Sequence, residues 1–232
     1  MSNNKNMIIA TERQVDIAKA FKYSIEEVAV IQNTVAKGTN GVELGYFLSV
    51  CKSVDLNPFN KEIWCYKDNK NNIIIITGRD GFLTKAQRSP QYNGIRSSEV
   101  CEKDVFNLDV ANNKITHNIT ESRSKRGAII GAYAIAFRKD GEPTIEWADF
   151  ATYNKGSFVW KSHDADMIKK VAESHALKKA FGMSNLHSEY DFNTSSGIAV
   201  PVNQESTSNV DTGQQKKDDL RDKKTIEVTE MP

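Results

Sequence analysis

Between Asn57 and Arg88 the chain reads NPFNKEIWCYKDNKNNIIIITGRDGFLTKAQR, and this stretch restricts the folds open to it more than any other. Proline pushes the residue before it out of the right-handed helical region, so the helical pattern upstream has to stop at Asn57-Pro58. Glu62 to Lys67 then places Ile63 and Cys65 on one face of a strand and Trp64 and Tyr66 on the other. Asp68 to Asn72 supplies turn residues, and Ile73 to Thr77 is a β-branched run without polar alternation, the pattern of an interior strand. The two runs predict a hairpin. Gly78-Arg79-Asp80-Gly81 breaks the pattern, and Phe82, Leu83 and Ala86 alternating with Lys85, Gln87 and Arg88 predict a short helix that ends before Pro90.

Everything upstream reads as helical. TERQVDIAKAFK has Val15, Ile17, Ala18 and Phe21 at mostly helical spacing. Ser24 with Glu27 forms a capping box for a second helix that carries Ile25, Val28, Ile31 and Val35 as far as Gly38. Asn40 and Glu43 repeat the signal for a third, through about Val54. Downstream, Gly94 to Val100, Val105 to Val110, Lys114 to Thr120 and Ala128 to Lys139 read as strands, and Asp140-Gly141 marks a hairpin into Thr144 to Trp147. Residues 149–162 are irregular and aromatic, with Phe150, Tyr153, Phe158 and Trp160. A helix follows from about Asp164 to Phe181, its apolar residues spread over more than one face. The expected class is α+β: N-terminal helices, a small twisted and mainly antiparallel central sheet with packed helices, and a polar tail.

Charge matters here by position. Of 31 basic and 30 acidic residues, five basic and eight acidic fall in 191–232, which leaves a body of about +4. The last aromatic is Phe192, and the polar composition beyond it predicts disorder, so the expected division is a core over 1–190 and a disordered tail over 191–232. Cys51, Cys65 and Cys101 are odd in number and far apart, which suggests buried reduced thiols in a cytoplasmic protein. There is no apolar run of about 18 residues and no basic-then-apolar leader, so neither a membrane span nor export is expected.

Phosphate-loop, dinucleotide, nucleophile-elbow and zinc-protease motifs are all missing from the sequence. His163, His175 and His187 recur every twelve residues, and with His117 they lack the three- or four-residue spacing of metal ligands. Asp80, Glu99, Glu146 and Asp149 are of the right type for a two-metal nuclease but form no compact motif. Basic and aromatic residues interleave more persuasively. Lys61, Trp64, Tyr66, Lys67, Arg79, Phe82, Lys85 and Arg88 share one unit, and Arg123, Lys125, Arg126, Trp160, Lys161, Lys169 and Lys170 add to them. Phosphates require cations and unpaired bases offer faces for stacking, so such a mixture suits single-stranded nucleic acid. The competing reading makes the aromatics core, the lysines solvated faces, and Arg79 a partner of Asp80.

The order NPFNKEIW, TGRDGF and MIKKVAESHALKKAF resembles the RecT/Red-beta (phage Bet) superfamily of single-strand annealing proteins, over about residues 25–190. Asn57, Pro58, Phe59 and Lys61 match its first motif and Gly78 to Phe82 its second. Trp160, Met167 to Val171, Glu173, Leu177 and Phe181 match the third, whereas Gly182-Met183 departs from the family's usual close. The resemblance implies a non-enzymatic, ATP-independent protein of phage recombination, without cofactor or metal, encoded by a phage or prophage and acting in the bacterial cytoplasm. It implies partners in single-stranded DNA, the annealed duplex and further copies of itself in a ring or helical filament. A phage exonuclease or host single-strand binding protein would be reached through the tail. The expected DNA contacts are Lys61, Lys67, Arg79, Lys85, Arg88, Arg123, Lys125, Arg126, Trp160, Lys161, Lys169, Lys170 and Lys178, with the hairpin itself mostly core. A non-annealing single-strand binding module and a metal-dependent nuclease are the alternatives.

Overall fold

The computed structural model describes residues 11–191; the expected tail, Asp191 apart, lies outside them. Three helices come first, α1 (Glu12–Phe21), α2 (Ile25–Thr34) and α3 (Gly41–Val54), and each opens on a capping box. The pairs are Thr11 with Gln14, Ser24 with Glu27 and Asn40 with Glu43, each satisfying backbone donors that the first helical turn leaves orphaned. Helix α2 stops at Thr34, short of the expected Gly38. Val35 leaves the helix and its carbonyl accepts the Cys65 N–H at 2.8 Å, so the helix end is tied to the hairpin that follows.

That hairpin is β1 (Ile63–Lys67) against β2 (Ile73–Thr77), antiparallel, with Cys65 opposite Ile75. The β2 run looks interior in sequence, yet it belongs to a sheet of only two strands. Ile73, Ile74 and Ile76 are buried because the surrounding elements close over the strand: Ile73 joins the core built by α1 to α3, and the Thr77 N–H donates to the His187 carbonyl at 2.7 Å. Ahead of the hairpin, the Asn57 side chain accepts the Phe59 N–H, and buried Glu62 accepts both the Asn57 N–H at 2.8 Å and the Asn60 amide at 3.2 Å. The Asn-Pro-Phe-Asn run is thus a self-bonded turn.

Gly78 and Gly81 serve close approach. Helix α4 (Arg79–Gln87) begins directly after Gly78, so Arg79 and Asp80 lie in its first turn where a break was expected. A Cβ at Gly81 would overlap the Glu62 carbonyl, and one at Gly78 would sit 2.7 Å from the Trp64 ring. Only glycine lets α4 pack this closely on β1.

The remaining strands are β3 (Tyr92–Cys101), β4 (Val105–Asp109), β5 (Lys114–Asn118), β6 (Ile129–Arg138) and β7 (Thr144–Asp149). They form an antiparallel sheet in the order β3-β6-β7 and a separate β4-β5 hairpin. The hairpin covers part of one sheet face through Phe106, which stacks on Tyr133 and Trp147 at 5.8 and 5.1 Å. Where an irregular stretch was expected over 149–162, two short helices form, α5 (Phe150–Tyr153), opened by the Asp149 side chain accepting the Thr152 N–H, and α6 (Phe158–Ser162), and then comes the long α7 (Asp164–Ala180).

Helix α7 lies across the other sheet face. Ala132, Ala134 and Ala136 of β6 and Ala148 of β7 share a core with Ala172, Ala176 and Ala180, and these small side chains let helix and sheet close together. Leu177 belongs instead to the first core, with Phe47, Ile63 and Phe82. The several apolar faces of α7 are therefore occupied by two cores of the same chain. No helix among the described residues is long and apolar enough to cross a membrane.

Candidate nucleic-acid interface

Helix α6 is rolled into place by one residue. Trp160, 4% exposed, packs edge-on against Phe150 at 5.9 Å in the second core. Each helical residue turns by about 100°, so Phe158 sits about 200° from Trp160 and Lys161 about 60° from Phe158. Accordingly Phe158 is 81% exposed, Val159 is exposed beside it, and Lys161 is exposed as well. From Phe150 to His163 the chain contains Lys155 and Lys161 and no carboxylate.

A second basic element borders this stretch. Residues Arg123–Lys125 form a 3-10 turn between β5 and β6, and Arg123 lies 3.8 Å from Asp164, at the junction of α6 and α7. Arg123 also donates to the Gly127 carbonyl at 2.8 Å, and exposed Lys125 has only Glu121 at 3.7 Å. Both acid contacts are long and solvent-exposed, and pairs of that kind contribute little. Arg123 and Lys125 thus bring basic charge to the edge of α6.

Most of the other cations expected to meet DNA are engaged inside the fold. Arg126, 4% exposed, donates to Asp104 at 2.8 and 2.6 Å and to Glu99 at 2.8 Å. Asp104 also accepts the Cys101 N–H at 2.7 Å and faces His117 Nε2 at 3.1 Å. The Arg126 hydrogen bonds outweigh burial and hold the Asp104 carboxyl well below the usual carboxylate range, and the same bonds push the guanidinium up. Lys67 pairs with buried Glu43 at 3.0 Å. Lys85 donates to the Val54 carbonyl at 2.9 Å, and Arg88 holds both the carbonyl and the carboxylate of Asp55, so the two together cap the C-terminus of α3.

Arg79 pairs with Asp80 at 3.1 Å and with Glu173 of α7 at 3.3 Å, and Glu173 accepts the Ser97 hydroxyl at 2.5 Å. The Arg79 Nε approaches Glu173 off-axis and makes no hydrogen bond, so that contact is electrostatic. The trio nonetheless joins α4, α7 and β3. Lys169 pairs with Asp166 at 3.1 Å and Lys178 with Asp191 at 2.7 Å. Burial works to raise the Asp191 carboxyl, but hydrogen bonds from Lys178 and the Ser188 N–H bring it below its ordinary value. Of the expected contacts, Lys61, Lys161 and Lys170 are exposed and make no ion pair with a described residue.

The structure thus brings Arg123, in the same turn as Lys125, beside Asp164, three residues after Lys161, and puts Lys61 at the end of a 3-10 turn and Lys170 on α7. Lys155 and Phe158 belong to the same stretch as Lys161 and were not among the expected contacts; a carboxylate-free run carrying two lysines is the signal that marks them. The candidate nuclease carboxylates go separate ways. Asp80 pairs with Arg79, Glu99 with Arg126 and Glu146 with Lys179, while Asp149 caps α5. Among the described residues no group of three or more His, Cys, Asp or Glu could hold a metal ion. Burial pushes the Cys51 and Cys65 thiols up to about 12, which leaves them unreactive near neutral pH.

A family model described as the RecT family matches residues 23–211. Recombination protein bet of Escherichia phage lambda is 23% identical over 166 residues, which cover 70% of this chain and 56% of that protein. The chain therefore spans little more than half the length of that relative.

Proposed function

Since the chain belongs to the RecT family, we propose that it is an ATP-independent single-strand annealing protein of phage-type recombination. The observation that carries this reading is the margin of Arg123, Lys125, Lys155 and Lys161, where cations outnumber nearby acids and are not consumed by the fold. A strand held there by its phosphates is gripped without regard to sequence, and its base edges stay free to find a complement. Lys61 and Lys170 extend the phosphate contacts. Lys67, Arg79, Lys85, Arg88, Arg126, Trp160, Lys169 and Lys178 act by holding the scaffold that presents this margin.

Residues 1–190 serve as the binding, annealing and oligomerising core, acting as a ring or helical filament because a head-to-tail interface either closes or repeats. Residues 191–232 serve as a tether to a phage exonuclease or a host single-strand binding protein. No chemical step on DNA is needed for this function, and its product is the annealed duplex. The name of the lambda relative supports a place in recombination. The test is the rate at which two complementary labelled oligonucleotides pair at low salt without ATP. Acceleration is expected. Inhibition of pairing would make the protein a coating module, and magnesium-dependent cleavage would make it a nuclease.

A further inference from the structure

We infer that Phe158 is a stacking platform for one unpaired nucleobase, an inference that rests on the single-strand reading above. The ring is 81% exposed, more than any other large aromatic side chain among the described residues. It makes no ring or cation contact with another described residue. Its outward aim is imposed by the fold, because Trp160 fixes the roll of α6 from the buried side. The ring therefore contributes nothing to the second core.

The surroundings indicate what covers it. Lys161 lies one helical turn on, at the spacing that puts two side chains on the same face, and Lys155 lies three residues before it in the adjoining loop. Arg123 approaches the end of α6 through Asp164. An occupant needs a flat apolar face for the ring and anionic groups within reach of the lysines. An unpaired nucleotide has both. A second copy of this chain docking through the same patch would bring like charges together. Stacking is also compatible with annealing, since it uses the face of the base and leaves its pairing edge open, and it disfavours duplex, whose base faces are already covered.

The experiment compares binding of the full chain to a fluorescent single strand and to an abasic strand of the same length, which keeps the phosphates and lacks the bases. Phe158→Ala is expected to weaken binding of the normal strand about tenfold and to leave binding of the abasic strand unchanged. Phe158→Trp should restore normal binding and Phe158→Leu should not. Equal losses on both probes, or rescue by leucine, would overturn stacking and assign the ring to apolar packing. Wild-type affinity for the normal strand in Phe158→Ala would also overturn it while leaving the single-strand reading in place. If the wild-type protein bound neither probe at low salt, the single-strand reading itself would fail and stacking with it.

Discussion

The segment 57–88 and the margin formed by residues 123–125 and 155–161 both combine cations with aromatics, and the fold uses them in opposite ways. In the first, Lys67, Arg79, Lys85 and Arg88 have partners in the protein, a buried glutamate, α7, or the end of α3, and Lys61 and Lys70 alone of its cations stay exposed without an ion pair to a described residue. In the second, Lys155 and Lys161 have no acid in their own stretch, and the acid pairs of Arg123 and Lys125 are long and exposed, Arg123 also donating to the Gly127 carbonyl. The difference teaches that a strong motif and a free charge are separate things. A motif with Pro, Gly and paired charges is demanding because many neighbours must fit at once. A surface that grips phosphates asks only that its cations remain uncommitted.

The sharpest test of this contrast is Arg126, which sits one residue beyond the basic turn yet behaves as scaffold. Arg126→Ala leaves Asp104 and Glu99 without their partner and should cost about 3–5 kcal/mol in chemical denaturation. A loss near zero with weakened DNA binding would move Arg126 to the interface. Acid gives a second handle on the same network. The Asp104 carboxyl titrates lower in the folded chain than its ordinary value of about 3.9. Its contribution is therefore fully present above about pH 4 and is lost as the pH falls through the folded value. The stability gap between wild type and Asp104→Asn should narrow in that window, and a gap independent of pH would contradict the assignment.

Arg79→Ala should cost less, about 1–2 kcal/mol, because Arg79 is partly exposed and meets Glu173 off-axis. Its salt dependence of single-strand binding should match the wild type; a shallower slope would mean that Arg79 neutralises a phosphate. The smallest effect on stability is expected for the double change Lys155→Ala and Lys161→Ala, within about 0.5 kcal/mol. Here the change should appear in the slope of log K against log salt, reduced in magnitude by about 1.4 for two lost phosphate contacts on a single strand. An unaltered slope would remove these lysines from the interface and erase the contrast between the two regions.

Several elements are legible in the residues because their causes are local. Capping boxes at Ser24 and Asn40 mark two helix starts, Asp140-Gly141 marks the β6-β7 turn, and the β-branched run Ile73–Thr77 marks β2. Others depend on contacts far along the chain. Helix α2 ends at Thr34 because the Val35 carbonyl meets Cys65, and β2 is buried without being interior because other elements close over it. The spread of apolar residues over more than one face of α7 has no local cause and is explained by the two cores, one on the sheet and one with α1 to α3, that claim it.

The amino-acid sequence alone carried the α+β class, the order of the longer elements, though not the short helices α5 and α6, and the resemblance to the family the chain belongs to. It could do so because propensity, capping and turn chemistry act over a few residues. Only the tertiary structure decided which cations are spent on the fold and which remain at its surface. Whether a lysine or arginine is free depends on the carboxylate or carbonyl brought beside it, such as Asp55 to Arg88, 33 residues apart in sequence, and local pattern carries no record of that distance.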